Sequence, residues 1–371
     1  MEGASVEPQE YILSSANNVD FIGDGFEDLP EDLFLQHPAG GIHTLKVHRG
    51  RIFEELLEAF EQNIFNDTVR IEMILPNGEI EYAEDFGGVF RDALSEFWFT
   101  FYEKCTIGTT LKIPYLRHDF GEVQWRSIAK IFIKGFEIEK YIPIKLAPVF
   151  IQSCFGQNIE DDDEILDNFL QYMCESEADV IKQALKNFGE VDNDELLDVL
   201  TSYATKWAPT KNNFKQLIRD IAHTELVQKP AFVVKCFGLE FKNNMNKISA
   251  MEVAHLYKAL KPSVKNCLAK IDIQNEQEIT PERTKVYSYL KRFIKEADEK
   301  TRTGFFRFCT GSDLPIRNIA VTFIGTLGIG RVPIAHTCTG LLELPEKYEN
   351  FVFRSELNNI LSSNIWIMDI I

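Results

Sequence analysis

The sequence points to an α+β fold in two unequal parts, a large, mainly helical front part carrying a β-hairpin and a smaller α/β part behind a short break. Three observations point there. Apolar residues, many of them aromatic, recur at helical spacing through most of the chain up to position 260. The stretch VRIEMILPNGEIEY instead alternates and turns at Asn77-Gly78. LKPS at 260–263 then interrupts the pattern, and helix and strand signals alternate beyond it.

Residues 1–40 are acidic, turn-rich and weakly periodic, and are expected to be a tail or lead-in. Order is expected to begin near LKVHRGRIFEELLEAF, where Ile52, Phe53, Leu56, Leu57 and Phe60 share one helix face. Val69, Ile71, Met73 and Leu75 form the alternating arm of the hairpin. In EDFGGVFRDALSEFWFTFY, Gly87-Gly88 marks unusual dihedrals or a close contact. Phe90, Ala93, Leu94, Phe97, Trp98 and Phe101 follow as an aromatic helix face. Further buried helices are expected over 125–155, separated by Pro143 and Pro148. The acidic run from Glu160 to Glu164 reads as a solvated loop or a charged helix start. A helical stretch over 165–230 is expected to end at Pro230. Ser249 and Glu252 then form a capping box. Past the break, Thr280-Pro281-Glu282 starts a helix whose apolar face is Val286, Tyr289, Leu290 and Phe293. AVTFIGTL reads as a strand, and Phe353, Leu357, Ile360 and Leu361 give a last amphipathic helix.

The formal net charge of −18 disfavours nucleic acid and anionic lipid as partners, since no basic patch offsets it. No stretch approaches the apolar length of a membrane span, and the start shows no secretory leader pattern. The seven cysteines are irregularly spaced with no CxxC pair. A zinc site is therefore not expected, and a reducing compartment, cytoplasm or nucleus, is. The histidines give no HExxH pair, no GxSxG elbow occurs, and GTLGIGR lacks the Lys-Ser or Lys-Thr of a phosphate loop. GTLGIGR reads instead as a turn between strands. No metal and no cofactor are expected.

One cysteine stands apart. Cys338 follows His336 and Thr337 in a polar loop after an apolar strand, with Thr339 beside it. A thiol reacts as thiolate and needs exposure with donors or positive charge nearby. Cys338 has those ingredients, and a quietly buried cysteine is the competing reading.

VPIAHTCTGLLELPEKY at 332–348 resembles the string around the active cysteine of HECT-type ubiquitin ligases. RTGFFRFCTGSDLP at 302–315 resembles a second family segment, and LKVHRGRIFEELLEAF and EDFGGVFRDALSEFW resemble the opening helix and the GG-x-x-RE motif. The segments fall in family order, so the chain from about 44 onward is identified as a divergent HECT domain, and apart from the short tail no separate substrate-recognition domain is expected ahead of it. The resemblance implies a bilobal fold: an N-lobe over 41–260, with a docking subdomain for the conjugating enzyme at 158–230, a hinge at 261–263, and a C-lobe over 264–371. It implies ubiquitin transfer from a conjugating enzyme to Cys338 as a thioester and then to a substrate lysine. His336 and Thr337 would orient the loop or donate to the thioester carbonyl. Asp369, ranked ahead of Asp85 and Asp92, would orient the lysine or take its proton, unless it is a solvated end charge. Phe169, Tyr172 and Trp207 would anchor the conjugating enzyme, or else belong to the core. Three departures stand out: Thr339-Gly340 replaces Phe-Asn, Asp92 replaces Glu, and Met368 stands where Phe is usual. A degenerate module that binds the conjugating enzyme or ubiquitin without turnover is the alternative, and a redox-active or protease-like thiol protein a third reading.

Overall fold

A computed structural model of the chain describes residues 33–35, 40–62, 64–81, 87–157, 161–204, 207–274, 279–325 and 332–362. The chain opens with a βαβ unit. Strand β1 (Ile42–His48) runs parallel to β2 (Thr68–Ile74), and α1 (Ile52–Glu61) makes the crossover. The five residues expected on the face of α1 are all buried. Strand β3 (Ile80–Glu81) returns antiparallel to β2, which bears out the hairpin. Its turn takes positive φ at Gly78 and not at Asn77, whose side chain instead accepts from Glu79 N at 3.0 Å. Strand β1 was not expected. Only Val47 of β1 is buried, and its partner strand lies beyond a helix, so local periodicity carries little sign of it.

Helix α2 (Gly88–Cys105) crosses the middle of this front part, followed by the short hairpin of β4 (Thr106–Gly108) and β5 (Lys112–Pro114), then α3 (Glu122–Glu139) and α4 (Pro148–Cys154). The aromatic face of α2 is buried as expected. Phe97 meets Trp98, and Trp98 meets Phe101, edge-on at 5.2 and 5.1 Å between ring centres. Each fully buried side chain of this size contributes about 1.5–3 kcal/mol relative to exposure, so α2 anchors the first core.

Helices α5 (Asp162–Tyr172), α6 (Glu175–Lys186), α7 (Asn193–Ser202) and α8 (Phe214–His223) follow. The acidic run is a charged helix start, with the Asp161 carboxylate accepting from the Asp163 and Glu164 amides. Pro230 interrupts the helical stretch after a π-type turn at Thr224–Gln228, but helix α9 (Ala231–Asn244) begins directly after it. A proline is tolerated at that position because the first amides of a helix have no partner within the helix. Helix α10 (Ala250–Leu260) carries the expected capping box of Ser249 and Glu252.

Beyond 260 come α11 (Val264–Ala269), β6 (Ile271–Ile273), α12 (Pro281–Glu296), α13 (Glu299–Thr310), β7 (Ile319–Ile324), β8 (Ile334–His336), β9 (Leu341–Pro345) and α14 (Asn350–Ser362). Thr280 caps α12 as expected, and β7, IAVTFI, takes in the first five residues of the expected strand AVTFIGTL. The strands order as β6-β7-β9-β8, parallel except for the β8–β9 pair. GTLGIGR lies largely outside the described residues.

Buried apolar residues fall into two clusters, one running from Leu33 to Leu260 and the other from Cys267 to Leu357. The first also takes in Leu314 and Ile316 from the connection after α13. At the break the chain is tied down: the Asn266 side chain donates to the carbonyls of Lys258, Ala259 and Lys261, and Arg302 Nε donates to Pro262 O at 2.7 Å.

Helix α13, whose end faces α2, starts at Asp298, whose carboxylate accepts from Thr301 N at 2.7 Å. The hydrogen bonds from Thr301 hold this carboxyl below its ordinary pKa. A depressed carboxylate contributes stability above the unfolded-state pKa and loses it as pH falls through the folded value. Asp298→Ala is expected to cost about 1 kcal/mol at neutral pH. In urea titrations the gap from wild type closes in acid.

Candidate active site

Cys338 sits at the tip of the β8–β9 hairpin. The ladder pairs His336 with Leu341 and Ala335 with Leu342, leaving Thr337 to Gly340 as the connection. The amides of Thr339 and Gly340 both donate to His336 O, at 3.2 and 2.9 Å, and Thr339 Oγ1 donates to the same oxygen at 3.3 Å. Gly340 has φ +67°, and a Cβ there would come within 2.6 Å of Asn318 O. Both the left-handed conformation and the closeness of that carbonyl favour glycine, and a residue with a Cβ, such as the family's Asn, would need the backbone here to shift. The turn is closed by its own hydrogen bonds despite the altered residues.

Within the turn, Thr337 is buried, Cys338 half-buried and Thr339 exposed. His336 is half-buried, with Nε2 3.6 Å from Glu343 Oε1 on the neighbouring strand. Of the other cysteines, Cys105, Cys154, Cys236, Cys267 and Cys309 are buried. Burial pushes the Cys154 and Cys309 thiols well up, Cys105 up to about 11 and Cys267 up to about 12. Only Cys174 and Cys338 are partly open to solvent, which makes these two the candidates for a reactive thiol.

The front part meets this turn through α2. Gly87 takes φ +83°, which bears out the expectation of unusual dihedrals. Gly88 is the close contact, since a Cβ there would lie 3.0 Å from both Cys338 N and Thr337 Oγ1. One turn along, Arg91 is 1% exposed and spreads its guanidinium between three elements. Nη2 donates to Thr337 O at 2.7 Å, Nε to Thr310 O at 2.7 Å, and Nη1 to the Glu139 carboxylate at 3.1 and 3.3 Å. Arg317 also donates to Glu139, at 3.2 Å. Burial pulls the Arg91 pKa down; Glu139 opposes this and Arg317 adds to it.

Asp92, the next residue on this face, is fully buried between Arg49 at 2.7 Å and Arg307 at 2.9 Å. It is consumed in holding α2 to α13, which removes it as a spare carboxylate for proton transfer. Ser95 follows, bonded to Gly311 O at 3.1 Å and to Asp313. The Asp313 carboxyl is raised by burial and accepts from Tyr141 at 2.8 Å. Gly88, Arg91, Asp92 and Ser95 thus form a polar stripe at helical spacing, opposite the aromatic face. The sequence signal for that stripe was present, but the aromatic face drew the reading.

The expected anchors divide. Phe169 and Tyr172 are core residues, which corrects their candidacy as anchors in favour of the alternative that the sequence left open. Phe169 packs on Tyr203 at 5.2 Å, and the Tyr172 hydroxyl faces Glu225. Neither offers a ring face to a partner. Trp207 is 73% exposed, with Leu197 also open to solvent. Asp369 and Asp85 lie outside the described residues. Among the described residues, no three His, Cys, Asp or Glu side chains are placed to hold a metal ion, and no helix is long and apolar enough to cross a membrane.

The family model described as HECT-domain (ubiquitin-transferase) matches residues 113–363, from β5 to the end of α14. The chain therefore belongs to the HECT-domain family, whose members are ubiquitin transferases that bind conjugating enzymes and ubiquitin. Comparison with individual curated proteins finds no match. Helix α2, which supplies Arg91, lies ahead of the matched span but packs within the same first core.

Removing one partner of a buried ion pair strands the other. Glu139→Ala is expected to lower stability by about 3–5 kcal/mol. Chemical denaturation monitored by circular dichroism measures it.

Proposed function

We propose that this chain is a ubiquitin-protein ligase that accepts ubiquitin on Cys338 and passes it to a substrate lysine. The observation that carries this reading is the half-buried Cys338 on a tight hairpin turn, inside the matched family span, beside a buried guanidinium. In charging, the Cys338 thiolate attacks the thioester carbonyl of a ubiquitin-loaded conjugating enzyme. A new C–S bond forms, the old one breaks, and the carrier's sulfur leaves as thiolate. The exchange is close to balanced, so placement matters more than strong activation. His336 and Thr337 orient the turn, and Asp369 takes the proton shed by the lysine nitrogen.

Two lobes joined at 261–263 fit this scheme, because Cys338 must meet a carrier and then an acceptor. The two apolar clusters support that division, breaking between Leu260 and Cys267. The stretch 158–230 docks the conjugating enzyme, and exposed Trp207 is its anchor. Seven unpaired cysteines support a place in the cytoplasm or nucleus. The second reading, capture without turnover, is favoured by Thr339-Gly340 in place of the family's Phe-Asn.

Mixing the protein with ubiquitin-charged conjugating enzyme is expected to give a ubiquitin adduct that reductant removes. Cys338→Ala abolishes it, and Cys338→Ser converts it to an adduct that reductant leaves intact. Binding without any adduct in the wild type selects capture, and an adduct that survives Cys338→Ala moves the nucleophile elsewhere. Trp207→Ala is expected to weaken the conjugating enzyme by about 2 kcal/mol, roughly thirtyfold, with the melting temperature unchanged. Calorimetric titration checks it.

A further inference from the structure

We propose that Arg91 is a positioning residue for the transfer of ubiquitin from Cys338 to lysine: it fixes the Thr337–Cys338 peptide so that the Cys338 N–H faces the thioester oxygen. This rests on Cys338 being the thioester site. The carbonyl that accepts from Arg91 Nη2 at 2.7 Å and the N–H of Cys338 belong to one peptide unit. A hydrogen bond to one end of a peptide unit fixes its plane and polarises the other end. Among the described residues, the Cys338 N–H has no acceptor, whereas the next two amides both donate to His336 O. Gly88 brings no side chain to cover it, although its backbone lies against Cys338. An unspent N–H on the nucleophilic residue itself is a recurrent oxyanion donor in acyl transfer.

The step is the attack of a lysine nitrogen on the thioester carbonyl carbon. A C–N bond forms, and the carbonyl oxygen carries negative charge in the tetrahedral intermediate. The C–S bond then breaks, its electron pair leaves on Cys338 Sγ, and the nitrogen sheds one proton to Asp369, as proposed above. The oxygen is where a donor held in place lowers the barrier.

Arg91 reaches Thr337 only while the second core is seated on α2. Thr310 O and the Asp92–Arg307 pair define that same seat. Charging draws Cys338 to a carrier on the 158–230 stretch, whose first helix packs on β4 and α4 rather than on the turn's seat. Arg91 therefore serves discharge and not charging.

Pulse–chase kinetics separate the two steps. The protein is charged from a loaded conjugating enzyme, the supply is quenched, and discharge onto millimolar free lysine is followed. For Arg91→Met, charging within about twofold of wild type and discharge slowed about tenfold or more are expected, with Arg91→Lys partly restoring discharge. Equal loss in both steps, or unchanged or faster discharge, overturns the proposal. If Arg91→Met does not fold, Gly88→Ala tests the same seat with the charge kept, because its methyl group meets Cys338 N and Thr337 Oγ1 at 3.0 Å. It is expected to slow discharge selectively, and normal discharge in a folded Gly88→Ala overturns the proposal. A wild type that never charges refutes the thioester reading instead.

Discussion

The buried Arg91 guanidinium is the interaction on which the arrangement of this molecule turns. It is a cation without water, compensated by Glu139 on one side and by two backbone carbonyls of the second core on the other. Alone in such a place it would be strongly destabilising. With its acceptors in place it joins α2, the end of α3, the end of α13 and the cysteine turn at one point. The planar fork of Arg suits this task and the single ammonium of Lys does not, because donors must leave in several fixed directions at once.

The character of this seam bears on the proposed movement between the two cores. Within each core the contacts are apolar and close-packed. Across α2 they are hydrogen bonds and ion pairs: Arg91 with Thr310 and Thr337, Asp92 with Arg307, Ser95 with Gly311. Water can replace such contacts when surfaces part, so a polar seam separates at lower cost than an apolar one. Leu314 and Ile316 are the exception, since they sit in the first core although they follow α13. The proposed swing of the smaller part about 261–263 would therefore also have to pivot near that connection.

Much of this was legible in the sequence where the signal is local. The α1 face, the Asn77-Gly78 hairpin, the Ser249–Glu252 box and the Thr280-Pro281 start each rest on neighbours within one or two turns. Features that depend on distant partners were not legible. Strand β1 is defined by pairing across a helix. Helix α9 follows a proline that reads as a stop until its place at a helix start is seen. Phe169 and Tyr172 admit a core or a contact reading from sequence, and only burial separates the two. At the candidate site, Cys338 stood out because its loop is polar. The role of Arg91 did not, because its partners Thr310 and Thr337 lie more than two hundred positions along the chain.

Everything functional rests on one sulfur being reachable in the native protein. Timed alkylation of the folded chain, with each cysteine quantified by mass spectrometry, measures that directly. Cys338 and Cys174 are expected to label while the protein is folded, and Cys105, Cys154, Cys236, Cys267 and Cys309 only after denaturant is added. Protection of Cys338 equal to that of Cys309 would contradict a nucleophile open to an incoming acyl group.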